Sequence, residues 1–293
     1  MKEKQALMSI LQIGMQQEGF IQQLSTKRVT ALAYEYLRDE TNIYPVIQAM
    51  SEIVGSTVIL IASELLSNTS GGKGELLGGV PGIPPTEVVI IGAGTVSEYA
   101  ARAAMGLGAN VKIFDTSVYK LRRIQRNLGS RVHTSVISPA ALLKALKTCD
   151  VAIGAILSKE GRSPIIVTEE MVSEMRFGSV VIDVSIDQGG CFETSEVTNH
   201  SDPVFRKYGV VHYCVPNIAS GVSRTASTAI SNILMPLILS CTNTVGSANH
   251  ILHNKPGLLA ATYMYKGKMT SKVLSQKFDF KFTDLNLILS SNL

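Results

Sequence analysis

The chain has 293 residues, 45% hydrophobic and 17% charged, with a net charge of +4. That length allows two domains with cores of their own, and the absence of any low-complexity tract places it among globular proteins. The mild charge excludes a nucleic-acid surface, since its most basic run, Lys120 to Arg126 (KLRRIQR), reads as a solvated helix face.

Met1 to Gly19 offers one amphipathic, helix-like pattern with nothing upstream to pack on, so it resembles the middle of a domain and predicts a shortened chain. Its lysines precede no sustained apolar core, and no signal peptide is expected. Val29 to Tyr36 alternates as a strand does. From Pro45 onward, Met50, Val54, Val58, Ile61 and Leu65 fall at helical spacing and predict a buried helix linking two lobes. The most apolar part, Ile53 to Leu66, carries Ser56, Ser63 and Glu64 and is expected to fall short of a bilayer crossing. Asn68 to Pro85 is rich in glycine and proline; it lacks Walker spacing and reads as a connector.

Val88 to Asp115 then reads without interruption as strand, glycine turn, helix, strand and acid. Val88 to Ile91 suits a buried parallel strand. Gly92, Gly94 and Ser97 occupy the places of a G-x-G-x-x-G turn, serine replacing the glycine that serves helix-to-strand packing. Gly92 permits the tight turn and Gly94 lets a pyrophosphate approach the backbone. The N–H groups that open the helix, at Thr95 and Val96, face that anion with a favourable dipole, which contributes about 0.3–2 kcal/mol. The helix is expected over Tyr99 to Leu107, with Gly106 and Gly108 as its stop. After the strand Val111 to Phe114, the Asp115 carboxylate is placed to accept hydrogen bonds from an adenosine ribose and to repel a 2′-phosphate. This favours NAD over NADP, against the pull of the nearby Lys112, Lys120, Arg122 and Arg123.

The rhythm continues with a helix from Val118 to Leu128, a strand near Val132, a helix from Ala140 to Lys147 and a strand from Val151 to Ile153. Thr168 is an N-cap with Glu169 and Glu170 in the first turn, and that helix is expected to end before Gly178. Val180 to Asp183 and Val210 to Tyr213 are further buried strands. The fold class predicted is α/β, a doubly wound parallel sheet of Rossmann type. Residues past the strand ends line the ligand crevice of such a sheet, here Gly154 with Ala155, Asp183 to Gly190 (DVSIDQGG), and Val215 to Asn217. Asp187 is the carboxylate singled out, because two glycines follow it and permit close approach; the alternative is a loop aspartate making an Asx-turn with Gly189.

Ala226 to Leu239 predicts a second long apolar helix, interrupted by Pro236, that crosses back to the first lobe. Thr262 to Tyr265 is strand-like, and the apolar group Leu285 to Leu289 needs a partner surface, which together suggest a C-terminal extension completing the N-terminal lobe. Cys149, Cys191, Cys214 and Cys241 form no C-x-x-C pair and fit reduced thiols in a cytoplasmic protein. His250 and His253 share a helix face, but no carboxylate or cysteine accompanies them, so no metal is expected.

Five stretches together, MSEIVG (50–55), LLGGVPGIPP (76–85), VVIIGAGTVSEYAARAAMGLGA (88–109), IDVSIDQGGCFETS (182–195) and HYCVPNIASGVSRTAS (212–227), resemble the alanine dehydrogenase family, a pattern shared by the NAD(P) transhydrogenase alpha subunit. The resemblance implies a soluble enzyme with two Rossmann-like domains, commonly hexameric, in which NAD takes a hydride from the α-carbon of L-alanine to yield pyruvate and ammonium. It implies that Ser51 contacts the cofactor phosphates and Asp115 the ribose, and that Asp187, with Asn217, lies near nicotinamide and substrate and assists proton transfer. Gly92, Gly94, Thr95, Val96 and Lys120 complete the expected coenzyme set. Residues 46–224 would then be the NAD-binding domain with its linking helix, and residues 1–45 and 225–293 the remnant of a substrate lobe. No nucleic acid and no membrane are expected as partners, and a homo-oligomer is. The chain also departs from the family pattern. The arginine and lysine that hold pyruvate have no matching positions, and Gln12 and Ile13 stand where a catalytic histidine often follows. Loss of one positioned acid or base costs about 10²–10⁴ in rate, so a chain lacking all three is expected to be nearly inactive alone.

Overall fold

The computed structural model describes residues 1–12, 16–158, 162–242 and 256–290. Two units emerge, Met1–Ala49 with Ser227–Leu293, and Met50–Ala226.

In the first unit, β1 (Ala6–Ser9) lies parallel to β2 (Thr30–Ala33), with Ala6 opposite Thr30 and Ser9 opposite Ala33. The other edge of β2 pairs antiparallel with β10 (Thr262–Tyr265), which turns back on β11 (Lys268–Met269). The helix-like reading of Met1 to Gly19 is therefore corrected. Its start is a strand, and helix α1 begins only at Glu18 and runs to Thr26. Pairing to β2 outweighs the weak local periodicity of a short segment. The apolar partner it lacked upstream comes from downstream: Leu11, Ile21 and Leu24 are buried with Tyr263, Met264 and Leu274. Leu285 and Leu289 likewise find Leu32, Leu37 and Leu258. The strand expected to Tyr36 stops at Ala33, and Tyr34–Tyr36 make a single 3₁₀ turn.

The second unit is a seven-stranded sheet built from the all-apolar runs, because a parallel strand covered on both faces leaves no room for polar side chains. Its strands are β3 (Glu87–Ile91), β4 (Asn110–Asp115), β5 (His133–Val136), β6 (Val151–Gly154), β7 (Val180–Asp183), β8 (Val204–Lys207) and β9 (Val210–Tyr213), in the order β5-β4-β3-β6-β7-β9-β8. All neighbours are parallel except β8, an antiparallel edge strand that the sequence reading omitted. The register sets Ile90 of β3 against Ile113 of β4 and Ile153 of β6, all three fully buried.

Helices α3 (Thr95–Gly106), α4 (Val118–Leu128), α5 (Pro139–Leu146) and α6 (Glu169–Ser173) follow successive strands. The hydroxyls of Ser117, Ser138 and Thr168 cap the last three, each accepting a backbone N–H at the third helical position. Helix α2 (Pro45–Leu66) has 22 residues and a mean hydropathy of 1.6 over its apolar window, so it is long and apolar enough to cross a membrane. The expected shortfall in length is thus corrected. Five of its residues, Val58, Ile59, Ala62, Leu65 and Leu66, are buried in the sheet core with Val88, Ile90 and Ala100. Helix α7 runs from Ser223 to Thr242, three residues beyond each expected end.

Candidate functional site

The strand order reverses between β3 and β6, and the glycine turn lies at that switch point, where a doubly wound sheet opens its crevice. Gly92 adopts φ +109°, a conformation that L side chains rarely take, and a Cβ there would collide with the Ala155 carbonyl oxygen past β6. Its N–H donates to the Phe114 carbonyl at 2.6 Å. Gly94 differs: its φ is −87°, and nothing lies within 4 Å of where a Cβ would stand. The open side of Gly94 leads straight to the start of α3, which no side chain caps, so the N–H groups of Thr95 and Val96 have no side-chain competitor for an anion. The helix starts four residues earlier than expected, at Thr95.

Asp115 faces this turn. Its Oδ2 accepts the Ala93 N–H at 2.8 Å and its Oδ1 the Ser117 N–H at 2.7 Å. Each oxygen keeps a second lone pair for a hydroxyl donor. Lys120 stands with Nζ 3.9 Å from Oδ2 and half its side chain in solvent, a pairing of small energy that leaves the ammonium available. Arg123, seen in the sequence only as one more basic residue, donates to the Ala93 carbonyl at 3.0 Å and clamps the turn from outside. Ser97 is fully buried with no partner for its hydroxyl among the described residues.

Ser51 stands on α2 one turn before a close contact with α3. Gly55, one turn further along α2, sits so close to α3 that a Cβ would meet the Val96 carbonyl, Tyr99 Cβ and the Ala100 nitrogen. Glu52 hydrogen-bonds Tyr99, and burial followed by this carboxylate raises the phenol pKa. Ser51 shares the Gly55 face of α2 at i,i+4 spacing.

The DVSIDQGG stretch forms a 3₁₀ turn, Val184–Gln188, arranged around Asp183. That buried carboxylate accepts from the backbone of Ser185, Cys191 and Phe192 and from the Ser195 hydroxyl. Sequence reasoning named the segment but missed this role, although Asp183 ends an apolar strand by the same rule that drew attention to Asp187. The turn is fastened to the loop after β6, for Ser185 Oγ accepts the Ile156 N–H at 2.9 Å and Gln188 Oε1 the Ser158 N–H at 2.9 Å. The Gly92 turn, the β6 loop and the Asp187 turn are therefore contiguous.

Asp187 stands exposed at the rim, yet enough protein surrounds it for burial to raise its carboxyl pKa above the ordinary aspartate value. The Asn217 N–H bonds the carboxylate and opposes that rise. Asn217 holds a left-handed backbone, φ +54°, which aims its N–H this way. The structure thus joins Asp187 to Asn217, residues thirty apart in sequence. Among the described residues no group of three metal-ligating side chains occurs; His250 and His253 lie outside them. Cys149, Cys191 and Cys214 are free and buried.

The family model described as alanine dehydrogenase/PNT, C-terminal domain, matches residues 58–272. The chain belongs to this family. Alanine dehydrogenase 2 of Staphylococcus aureus strain USA300 is 38% identical over 282 residues, 96% of this chain and 75% of the relative. The corresponding protein of strain Mu50 is equally similar. Among solved structures, an L-alanine dehydrogenase superposes with a TM-score of 0.88 at 35% identity, covering 95% of this chain and 76% of that one. A transhydrogenase from Sinorhizobium meliloti, at 20% identity and a TM-score of 0.73 over 92% and 74%, shares the fold. Of the two positions where this alanine dehydrogenase/PNT family member departs from the expected histidine, Gln12 has a left-handed backbone with φ +44°, and Ile13 lies outside the described residues.

Proposed function

We propose that this chain is an NAD-dependent oxidoreductase of alanine dehydrogenase type, acting in the oxidative deamination of L-alanine to pyruvate and ammonium. The observation that carries the coenzyme assignment is the open face of Gly94 beside an uncapped helix start, with Asp115 turned toward the same loop. The residues fit a dinucleotide. Gly92, Gly94, Thr95 and Val96 would receive the pyrophosphate with Ser51, while Asp115 and Lys120 would hold the ribose side. When bound, NAD supplies the hydride acceptor for the substrate α-carbon.

The chain's own residues supply proton handling and orientation. A carboxyl whose pKa is raised by burial sits closer to neutral pH, where it both gives and takes a proton, and Asp187 has that property. The Asn217 N–H fixes its direction. The relatives' names, the family membership and this geometry support the reading. A cytoplasmic location and a homo-oligomer, a hexamer in the resembling enzymes, belong to the same proposal.

A non-catalytic NAD-binding module is the second reading, favoured by Gln12 and Ile13 where the family's histidine often follows. Calorimetry with NADH followed by NADH absorbance with NAD and L-alanine separates the two. Binding with turnover supports the enzyme, and binding without turnover supports the module. No binding refutes both. Hydride exchange between two nicotinamides in the same assay would instead mark a transhydrogenase soluble domain.

A further inference from the structure

The sheet of the second unit has a basic corner at the end opposite its glycine turn. A cavity of about 370 Å³ opens where β4 and the edge strand β5 begin, lined by Asn110, Lys112, Arg131 and His133 and by the apolar Met105 and Val132. Lys112 and His133 are register partners across the parallel pair, so their side chains leave the same face of the sheet side by side. Asn110 precedes Lys112 by two residues, and Arg131 precedes His133 by two. Asp115, which faces the glycine turn, lies at the far end of β4, roughly 16 Å from Asn110 at the rise of an extended strand.

The charges of this corner are unequally answered. Lys112 Nζ sits 2.8 Å from Glu87 Oε2, an oxygen that also accepts the Thr148 hydroxyl at 2.7 Å. That pairing uses one ammonium proton and leaves two. The side chains of Arg131 and His133 are exposed and have no ion pair or hydrogen bond among the described residues. No aspartate or glutamate lines the cavity among the described residues. Three basic side chains around one concavity, answered by a single carboxylate to one side, make a site for an anion.

The donors narrow which anion it takes. Arg131 presents a planar fork for two oxygens at once, and the Asn110 amide, the His133 ring and the free Lys112 protons add single donors. A carboxylate has two oxygens and one charge, which the guanidinium alone satisfies. A phosphate group has three terminal oxygens and a charge of about −1.5 to −2, so it engages the fork and its neighbours together. The volume lies within the about 300–1,000 Å³ of small-molecule sites, and Met105 with Val132 gives an apolar wall for the carbon part of an ester.

We propose that this cavity binds a phosphate dianion, free or carried by a small monoester, with Arg131 holding two oxygens and His133, Lys112 and Asn110 the others. The site goes beyond the coenzyme assignment and shares no residue with it.

The test is calorimetry of the full chain saturated with NADH, which keeps the coenzyme crevice occupied, titrated with inorganic phosphate, phenyl phosphate and, as a control, acetate at matched ionic strength. Both phosphates should bind and acetate should not. Tighter binding of phenyl phosphate assigns the site to a monoester, and equal binding assigns it to free phosphate. Arg131→Gln should weaken phosphate binding by about tenfold or more and His133→Gln by less. Both positions are exposed, so both variants should match the parent in circular dichroism and in NADH affinity. No phosphate binding, acetate binding as well as phosphate, or Arg131→Gln responding like the parent overturns the proposal. Phosphate binding that NADH abolishes and Arg131→Gln leaves unchanged also overturns it, because the anion then sits at the glycine turn. The NADH titration that precedes each run reports separately on the coenzyme reading; should it fail, phosphate binding that depends on Arg131 still upholds this site.

Discussion

The two glycines of the turn should respond in opposite ways to one methyl group. In Gly92→Ala the new Cβ meets a backbone carbonyl oxygen that has no rotamer to escape through, at a φ of +109°. Strain of about 1–3 kcal/mol for the backbone and about 1–3 kcal/mol for the overlap add to about 2–6 kcal/mol, a large share of a typical total of about 5–15 kcal/mol. In Gly94→Ala the φ of −87° is ordinary for alanine and the space is empty. The unfolded chain loses freedom, so stability should hold or rise by about 0.4–1 kcal/mol. The methyl nevertheless occupies the approach to the α3 N-terminus, and NADH affinity should fall by about tenfold or more, equivalent to about 1.4 kcal/mol. Urea unfolding followed by circular dichroism measures the first effect and NADH calorimetry the second. Gly94→Ala binding NADH as the parent does would refute the placement of the pyrophosphate; an unaltered urea midpoint for Gly92→Ala would refute the packing argument.

Asp183→Ala strips five donors, the Cys191 thiol among them, of their shared acceptor in a buried turn and should cost about 3 kcal/mol or more in urea unfolding. His212 is fully buried, held between the Val210 carbonyl and the Thr194 hydroxyl, and burial depresses its pKa. Its contribution to stability should be complete above the ordinary histidine value of 6.5 and be lost as pH falls from there through the lower folded value. His212→Gln should flatten that part of the stability profile. For Asp187 the sign reverses: its raised folded pKa means a contribution present below the ordinary 3.8 and lost as pH rises through the folded value. Asp187→Asn should therefore be more stable at neutral pH than the parent, and a carboxyl NMR titration should place Asp187 above an ordinary aspartate. A midpoint at or below the ordinary value would remove the argument for its proton-transfer role.

Local sequence alone determined the sheet of the second unit and its glycine turn. Runs such as VVII and VVID are too apolar for anything but a doubly covered strand, and a glycine at a positive φ leaves the chain no substitute. The edge strand β8 was not legible, because Val204–Lys207 (VFRK) sets two apolar residues before two basic ones with no alternation and is identified by its antiparallel partner. Tertiary structure alone decided the first unit. Strand β1 exists through its pairing with β2, and the other edge of β2 is covered by β10, which arrives from more than two hundred positions away. It also decided the clamp of Arg123 on the Ala93 carbonyl, the closure of the Asp187 turn around Asp183, and the meeting of Asp187 with the Asn217 N–H. Periodicity and turn chemistry act over a few residues and can be read in order. Contacts that bring distant segments together are set by which surfaces each element leaves to cover, and that is a property of the folded whole.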